Sequence, residues 1–158
     1  MRGAKPTAAL RPTRRHLLGR AAGLPLVMLS PGGAWADSGA ELKQALAAVG
    51  KGRKPLSGRL KLDAPEIAEN GSLVPIEVSF DSPMTEQDRV TAIHVFADGN
   101  PRPQVAVFRF GRLSGQARVA IRVRLQQTQE LIALAETGEG NLYETRALVK
   151  VTIGGCGG

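Results

Sequence analysis

Apolar and polar residues alternate along two segments of this chain, and this alternation restricts the fold more than any other feature. In the first segment the apolar members are Val119, Ile121, Val123 and Leu125, and in the second they are Ala147, Val149, Val151 and Ile153. Successive side chains of a strand point to opposite faces, so each segment is predicted to be a strand with one buried face. We expect Ile153 to be the last inward-facing residue of the final strand.

Weaker alternation predicts further strands at 59–62, 73–80, 92–97, 104–110 and 130–135. Turn sequences rich in Gly, Asn, Asp and Ser separate them. About seven short strands divided by turns favour an antiparallel sandwich of the immunoglobulin-like type. Pro75 predicts that its segment is an edge strand or that it lies at the start of a strand.

A short amphipathic helix is predicted ahead of the strands. Residues 40–49 place apolar side chains at helical spacing, Asp37 and Ser38 are possible caps, and the pattern ends at Gly50. The basic stretch 51–55 contains Gly and Pro and is predicted to be a linker. The expected fold class is therefore all-β, an immunoglobulin-like antiparallel β-sandwich preceded by a short N-terminal helix.

The first 36 residues have the layout of a twin-arginine signal peptide. Arg14 and Arg15 precede a weakly apolar stretch, and a small-residue cleavage site ends at Ala36. The stretch is too short and too often interrupted to span a membrane, so we expect no membrane span in the chain. Export into the periplasm by the twin-arginine route, with cleavage after Ala36, is the prediction.

Removal of the signal changes the charge of the protein. The chain has 21 basic and 14 acidic residues, and six of the basic residues but none of the acidic ones lie in residues 1–36. The mature chain then keeps 15 basic and 14 acidic residues, a net charge of +1. Such a balance argues against nucleic-acid binding. The remaining 122 residues suit one domain, predicted at 37–153, followed by a tail.

The tail contains the only cysteine of the chain, Cys156, between Gly154, Gly155, Gly157 and Gly158. Glycine has no side chain to bury and favours a mobile backbone, so packing does not explain this thiol. Residues 154–158 are predicted to be a flexible arm that extends about 17 Å at ~3.4 Å per residue. A thiol on such an arm suggests a carrier of covalently bound cargo.

Cys156 could also have other roles, and each has its own requirements. A metal site needs several spaced ligands, a prenylation signal needs the cysteine at the fourth position from the end, and a nucleophile needs a base and an oxyanion pocket. The tail supplies none of these, so we predict no metal, no cofactor and no catalysis by the chain itself. A disulfide between the tails of two copies of a non-catalytic exported binding module stays open.

The residues that end the chain, Val149–Gly158, resemble the C-terminus of SoxY, the sulfur carrier subunit of a periplasmic thiosulfate-oxidising system. Segments 64–71, 81–85 and 93–101 and the twin-arginine leader resemble this family as well. The resemblance covers nearly the whole chain.

The resemblance implies a specific cargo and specific partners. A c-type haem enzyme would join thiosulfate oxidatively to Cys156, a thiosulfohydrolase would release sulfate and leave a persulfide, and a sulfane-sulfur dehydrogenase would oxidise the persulfide further. A SoxZ-like subunit would form a heterodimer with the chain. The terminal Gly157-Gly158 also permits a ubiquitin-like carrier that loads sulfur on its terminal carboxylate, although the signal argues against an ATP-dependent step.

Three further features receive weaker interpretations. Arg118, Arg122 and Arg124 share one strand face, which is typical of a solvated surface and less often of a surface that steers an anionic cargo. His94, in an alternating strand, is interpreted as structural and not as an acid or base. The acidic residues of segment 81–88 indicate a polar loop.

Overall fold

The computed structural model of the protein describes residues 38–153. Within this range a helix, α1, spans Ser38–Gly50, and eight strands follow it. The strands are β1 (Leu60–Asp63), β2 (Ile67–Ala68), β3 (Val74–Phe80), β4 (Val90–Ala97), β5 (Gln104–Arg109), β6 (Ala117–Val123), β7 (Gln129–Thr137) and β8 (Leu142–Val151).

Helix α1 forms where the sequence predicts it, and its apolar side chains pack on one sheet. Leu42, Ala45, Leu46 and Val49 contact a cluster made of Phe96, Ile132, Leu134 and Leu142. The helix ends because Lys51 and Gly52 adopt left-handed backbone angles, with φ of 49° and 76°. The backbone NH of Lys51 still reaches the carbonyl of Ala47, at 2.9 Å.

The strands form two sheets. The three-stranded sheet has the order β1-β3-β6, and the five-stranded sheet has the order β2-β8-β7-β4-β5. All neighbouring strands are antiparallel except β2 and β8, which pair in parallel over two residues. The two sheets share one apolar core, so the predicted immunoglobulin-like sandwich with a short N-terminal helix is confirmed.

The alternation in the sequence corresponds to burial in the three-stranded sheet. In β3 the residues Val74, Ile76, Val78 and Phe80 are buried and the intervening ones are not. In β6 the arginines at 118 and 122 are exposed, whereas Val123 is buried. Leu125 lies beyond the end of β6 but is completely buried, so its inward orientation was predicted correctly.

The central strands of the five-stranded sheet are buried on both faces. In β4 one face contacts the three-stranded sheet through Ile93 and Val95, and the other contacts the α1 side through Phe96. Strand β7 has the same arrangement, with five consecutive buried residues at 131–135. These strands therefore show little alternation in the sequence.

Pro75 was predicted to lie either in an edge strand or at the start of a strand, and the second alternative is correct. Pro75 is the second residue of β3, a strand start, but β3 is the middle strand of its sheet. Strand β1 pairs only with residues 77–80 of β3, so beside Pro75 only β6 continues the sheet among the described residues. A proline without an amide hydrogen is accommodated where one neighbour is missing.

Candidate functional site

The residues predicted to carry the function lie outside the described residues. Arg14, Arg15 and Ala36 precede them, and residues 154–158 with Cys156 follow them. The structure describes the platform from which these last five residues continue, which we call the arm root and define as residues 149–153. Because the tail follows Ile153 directly, the position of the arm root determines the region that the tail can reach.

The arm root is hydrogen-bonded on both sides. On one side the backbone NH of Val151 donates to Thr128 Oγ1 at 3.0 Å. On the other side the NH of Lys150 donates to the carbonyl of Glu66 at 2.8 Å, and the NH of Thr152 donates to the carbonyl of Ala68 at 3.1 Å. The backbone of the arm root is thereby held in place on both sides.

Two further hydrogen bonds hold the end of the arm root. The hydroxyl of Thr152 donates to the carbonyl of Glu69 at 3.0 Å. The carbonyl of Ile153 accepts a hydrogen bond from the NH of Gly71 at 2.8 Å. Hydrogen bonds therefore hold the backbone as far as Ile153, the residue that directly precedes Gly154.

The prediction that Ile153 is the last inward-facing residue of the final strand is wrong. Strand β8 ends at Val151, and the Ile153 side chain is 68% exposed. The pairing with β7 begins at Gln129, which lies opposite Val149, so no β7 residue lies beside the last two residues of the root. Val149 is the last residue of the arm root that is completely buried.

A buried asparagine, Asn100, joins two loops near the arm root through hydrogen bonds of its side chain. The side-chain NH2 of Asn100 donates to the carbonyl of Arg124 at 2.8 Å. Its Oδ1 accepts hydrogen bonds from the NH of Gln126 at 3.2 Å and from Gln129 Nε2 at 3.0 Å. Asn100 thereby joins the turn after β4 to the loop between β6 and β7.

His94 lies on the outer face of the five-stranded sheet and is almost completely buried. Its Nε2 is 3.1 Å from Glu136 Oε1, and its Nδ1 is 3.3 Å from Gln104 Nε2. The arrangement fits an imidazole that donates from Nε2 and accepts at Nδ1. Both ring nitrogens are occupied within the sheet, which agrees with the structural role predicted for this histidine.

Glu136 also binds Arg53, a residue that the sequence placed in a linker. Arg53 Nη2 lies 2.6 Å from Glu136 Oε2, and the guanidinium also donates to the carbonyls of Val49, Gly50 and Gly140. Burial raises the pKa of the Glu136 carboxyl, but hydrogen bonds from Arg53 and His94 outweigh it, and the pKa lies below its usual value. This cluster ties the end of α1 to β7, and no sequence signal indicated it because the partners are far apart along the chain.

The three arginines predicted on one strand face differ in their partners, and Arg124 lies directly after β6. Arg118 binds Glu77 on β3 at 2.8 Å, and this hydrogen bond raises the pKa of the guanidinium. Arg122 and Arg124 have no ion pair among residues 38–153. The acidic loop after β3 is partly paired, since Asp88 lies 2.6 Å from Arg59.

The described part of the chain contains neither a metal-binding cluster nor a membrane-spanning helix. No group of three or more His, Cys, Asp or Glu side chains within residues 38–153 is placed to hold a metal ion. Over the same range no helix has the length and apolar character needed to cross a membrane.

The fold and the arm root define a class of protein, an immunoglobulin-like β-sandwich whose last strand leads into a short cysteine-containing tail. A family model described as sulfur oxidation protein SoxY matches residues 46–156, a range that includes Cys156. The match covers more than half of the chain, and the chain therefore belongs to the SoxY family.

Solved structures agree with this assignment. The sulfur carrier protein SoxY from Chlorobium limicola f thiosulfatophilum is 32% identical, with a TM-score of 0.60 over 73% of this chain and 96% of that chain. A superoxide reductase (neelaredoxin) from Ignicoccus hospitalis is 20% identical, with a TM-score of 0.53 over 60% of this chain and 80% of that one. A hypothetical protein from Pyrococcus horikoshii is 19% identical, with a TM-score of 0.51 over 61% and 96% of the two chains. The last two similarities concern the fold alone. No curated protein sequence matches the chain.

Proposed function

We propose that this protein is a periplasmic sulfur carrier that holds thiosulfate-derived sulfur on Cys156 and presents it to enzymes of sulfur oxidation. Membership of the SoxY family supports sulfur oxidation as the process, and the Chlorobium relative is itself a sulfur carrier. The observation that carries the proposal is the arm root, whose backbone is hydrogen-bonded as far as Ile153, three residues before the only thiol.

The position of the thiol fits a group that is handed from one enzyme to another. From Ile153 to Cys156 the chain can extend about 10 Å, and with the side chain and a bound thiosulfate the cargo reaches further. Glycine on both sides of Cys156 keeps the segment narrow and leaves its backbone free to take many conformations. A narrow segment of this kind can enter a cleft that would exclude the sandwich.

The chemistry requires partners, because the tail supplies no base and no oxyanion pocket. In the loading step the thiol and thiosulfate form a sulfur–sulfur bond, one proton leaves, and two electrons pass to a c-type haem enzyme. In the next step a thiosulfohydrolase adds water to the sulfonate sulfur, which releases sulfate and leaves a persulfide on Cys156. A sulfane-sulfur dehydrogenase would oxidise this persulfide, and the carbon–sulfur bond of Cys156 is never broken.

The proposal includes a location and a heterodimer partner. The leader with Arg14 and Arg15, cleaved after Ala36, supports export of a folded protein to the periplasm. A SoxZ-like subunit that lacks its own signal would cross with the chain. Export of the pair would explain why a chain for which we expect no cofactor would use a route for folded proteins.

Intact-mass measurement after incubation with thiosulfate and the haem enzyme tests the proposal. We expect the wild-type mass to increase by one thiosulfate unit and to return to its initial value after reduction. Cys156→Ser should show no increase. A mass increase that persists in Cys156→Ser would contradict the proposal, and a doubled mass alone would indicate a disulfide-linked dimer.

A second variant tests whether enzymatic loading depends on the position of the thiol and not only on its presence. In a Cys156→Ser background, Ser57→Cys places a thiol on an exposed loop far along the chain from the arm root. This thiol should react with small disulfide reagents but should not be loaded by the haem enzyme. Enzymatic loading of the thiol introduced at position 57 at the wild-type rate would contradict a specific role for the C-terminal arm.

A further inference from the structure

A cleft of about 320 Å³ opens where the outer edge of β5 faces the outer edge of β6, the last strands of their sheets within the described residues. Its lining includes Asn100, Val105, Val123 and the three arginines Arg102, Arg122 and Arg124. We call it the arginine cleft. Three lining residues carry positive charge, and no carboxylate lines the cleft.

The arginines of the cleft differ from most of the other arginines in the sandwich. Five arginines elsewhere in residues 38–153 form ion pairs, and they are Arg53, Arg59, Arg112, Arg118 and Arg146. Arg102, Arg122 and Arg124 have none within that range, and all three are exposed. Three guanidinium groups without an ion pair around one concavity create a positive potential that favours an anion.

The backbone that carries these arginines is fixed. Asn100 bonds the carbonyl of Arg124 and is 8% exposed, which holds the turn that leads to Arg102 against the end of β6. The NH of Gly99 donates to Gln129 Oε1 at 2.8 Å. A Cβ at Gly99 would lie 2.9 Å from Nε2, the far end of the Gln127 side chain, and 3.1 Å from Gln129 Cβ, so a larger residue would displace these neighbours slightly. The cleft is therefore held in shape before any ligand arrives.

The end of the arginine cleft at Arg124 lies close to the arm root. The NH of Leu125, the residue after Arg124, donates to the carbonyl of Gly71 at 2.7 Å, and the NH of Gly71 donates to the carbonyl of Ile153 at 2.8 Å. Two such backbone contacts span roughly 10 Å between Cα atoms. The chain from Ile153 to Cys156 spans about the same length. Cargo on Cys156 is therefore within reach of the long Arg124 side chain.

We propose that the arginine cleft binds the sulfonate group of the thiosulfate carried on Cys156. This inference rests on the proposed carrier function, and it assigns a site on the carrier itself for the anionic form of the cargo. A sulfonate presents three oxygen atoms that share a negative charge, and planar guanidinium groups bind such oxyanions through paired hydrogen bonds. The free thiol carries no such group, so occupation of the cleft depends on whether the arm is loaded.

The test uses mature protein loaded without any partner enzyme. The Cys156 thiolate attacks a central sulfur of tetrathionate, the bond between the two central sulfurs breaks, and thiosulfate leaves with the electron pair. One thiosulfate unit then remains on Cys156 in a disulfide-type bond. The probe is the NMR signal of the arginine side-chain NH groups, recorded before loading, after loading and after reduction.

Loading should shift the side-chain signals of Arg102, Arg122 and Arg124, and reduction should reverse the shifts. Arg109, which is also exposed and has no ion pair within residues 38–153 but does not line the cleft, is the matched control and should not shift. The combined variant Arg102→Gln, Arg122→Gln, Arg124→Gln should keep its fold, because all three side chains are exposed. In this variant the backbone signals of Val105 and Val123, which line the cleft, should no longer respond to loading, whereas in Arg109→Gln they should respond as in wild type.

Free anion is tested separately with Cys156→Ser and added thiosulfate. We expect weak binding at the same arginines, reduced about threefold by each Arg→Gln substitution and weakened further by salt. Shifts with free thiosulfate but none with cargo on Cys156 would overturn the proposal. So would shifts that appear only when the second subunit is added, since the arginines would then belong to a protein interface.

These outcomes are independent of the carrier function itself. Loading with tetrathionate needs no enzyme, so shifted arginine signals would support the cleft even if the haem enzyme failed to load Cys156. Conversely, enzymatic loading of Cys156 with unchanged arginine signals would support the carrier function and contradict the proposal that the cleft binds the cargo.

Discussion

The two sheets of the sandwich differ in how many of their faces are buried. The five-stranded sheet lies between the three-stranded sheet and helix α1, so β4 and β7 are apolar on both faces. The three-stranded sheet is buried on its inner face only, and its outer face carries Glu77, Arg118 and Arg122. The strand that leads to the tail, β8, therefore belongs to the sheet that is covered on both faces, whereas the other sheet presents charged side chains to solvent.

The difference also explains which strands the sequence indicated clearly. Alternation is strong in β6 and in the second half of β8, where one face meets solvent. It is weak in β4 and β7, where helix α1 covers the second face. A strand that is buried on both faces therefore gives a weaker pattern than one that is exposed on one face.

The largest expected effect is a difference in core stability between the sheets. Ile132→Ala on β7, a completely buried site beneath α1, should lower the free energy of unfolding by about 3 to 4 kcal/mol. Ile121→Ala on β6 removes the same atoms from a half-buried site and should cost about 1 kcal/mol. Urea unfolding of the two variants measures both values. Equal losses would contradict the account in which burial on both faces makes the β7 site contribute more to stability.

The second largest effect is expected for the ion pair between Arg53, which follows α1, and Glu136 on β7. Glu136→Gln should lower the free energy of unfolding by about 1 kcal/mol at pH 7, because the ion pair with Arg53 is lost. The pKa of Glu136 lies below its unfolded value, so its contribution is complete above the unfolded pKa and disappears as the pH falls through the folded pKa.

The difference between wild type and Glu136→Gln should therefore decrease as the pH is lowered from neutral into the acidic range. Urea titrations at several pH values measure this difference. Glu139→Gln, an exposed carboxylate in the same turn region, is the control and should show little pH-dependent difference. A Glu136→Gln difference that stays constant across the pH range would show that the ion pair does not stabilise the fold.

A smaller effect is expected at the arm root. Thr152→Val removes the hydrogen bond from the threonine hydroxyl to the carbonyl of Glu69 and should cost about 0.5 kcal/mol. Hydrogen exchange at the NH groups of Thr152 and Gly71 should become faster, while exchange in β4 should not change. Unchanged exchange at the NH groups of Thr152 and Gly71 would indicate that the backbone contacts alone hold the arm root.

The smallest effect is expected on the outer face of the three-stranded sheet. Arg118→Gln breaks an exposed ion pair with Glu77 and should change the free energy of unfolding only slightly, as is usual for surface ion pairs. Thermal unfolding at low and high salt measures this change, and high salt should reduce it. A loss as large as that of Ile132→Ala would mean that both faces of this sheet stabilise the protein.

Much of the fold was predictable from the sequence because its signals are local. Alternation, turn residues and helical spacing indicated the sandwich and α1. The cluster of Arg53, Glu136 and His94 was not predictable, since its members lie on three separate segments of the chain. The outward position of Ile153 was also missed, because a periodic pattern cannot show where the paired strand stops.

The candidate site was predictable to a different extent. The sequence singled out Cys156 and its glycines, which lie outside the described residues, so their role stays a prediction. The arm root and the arginine cleft required the structure. Arg102 comes from a turn after β4, and only the bonds of Asn100 bring it to the end of β6.

Peptide mapping of the protein isolated from the periplasm of cells oxidising thiosulfate tests the carrier function most directly. Lys150 is the last basic residue, so trypsin releases Val151–Gly158 as a peptide that contains the only cysteine. We predict that this peptide carries thiosulfate or sulfane sulfur on Cys156, removable by reduction, and that the mature chain begins at Asp37. Recovery of this peptide only as a free thiol or as a disulfide with its own copy would contradict the account.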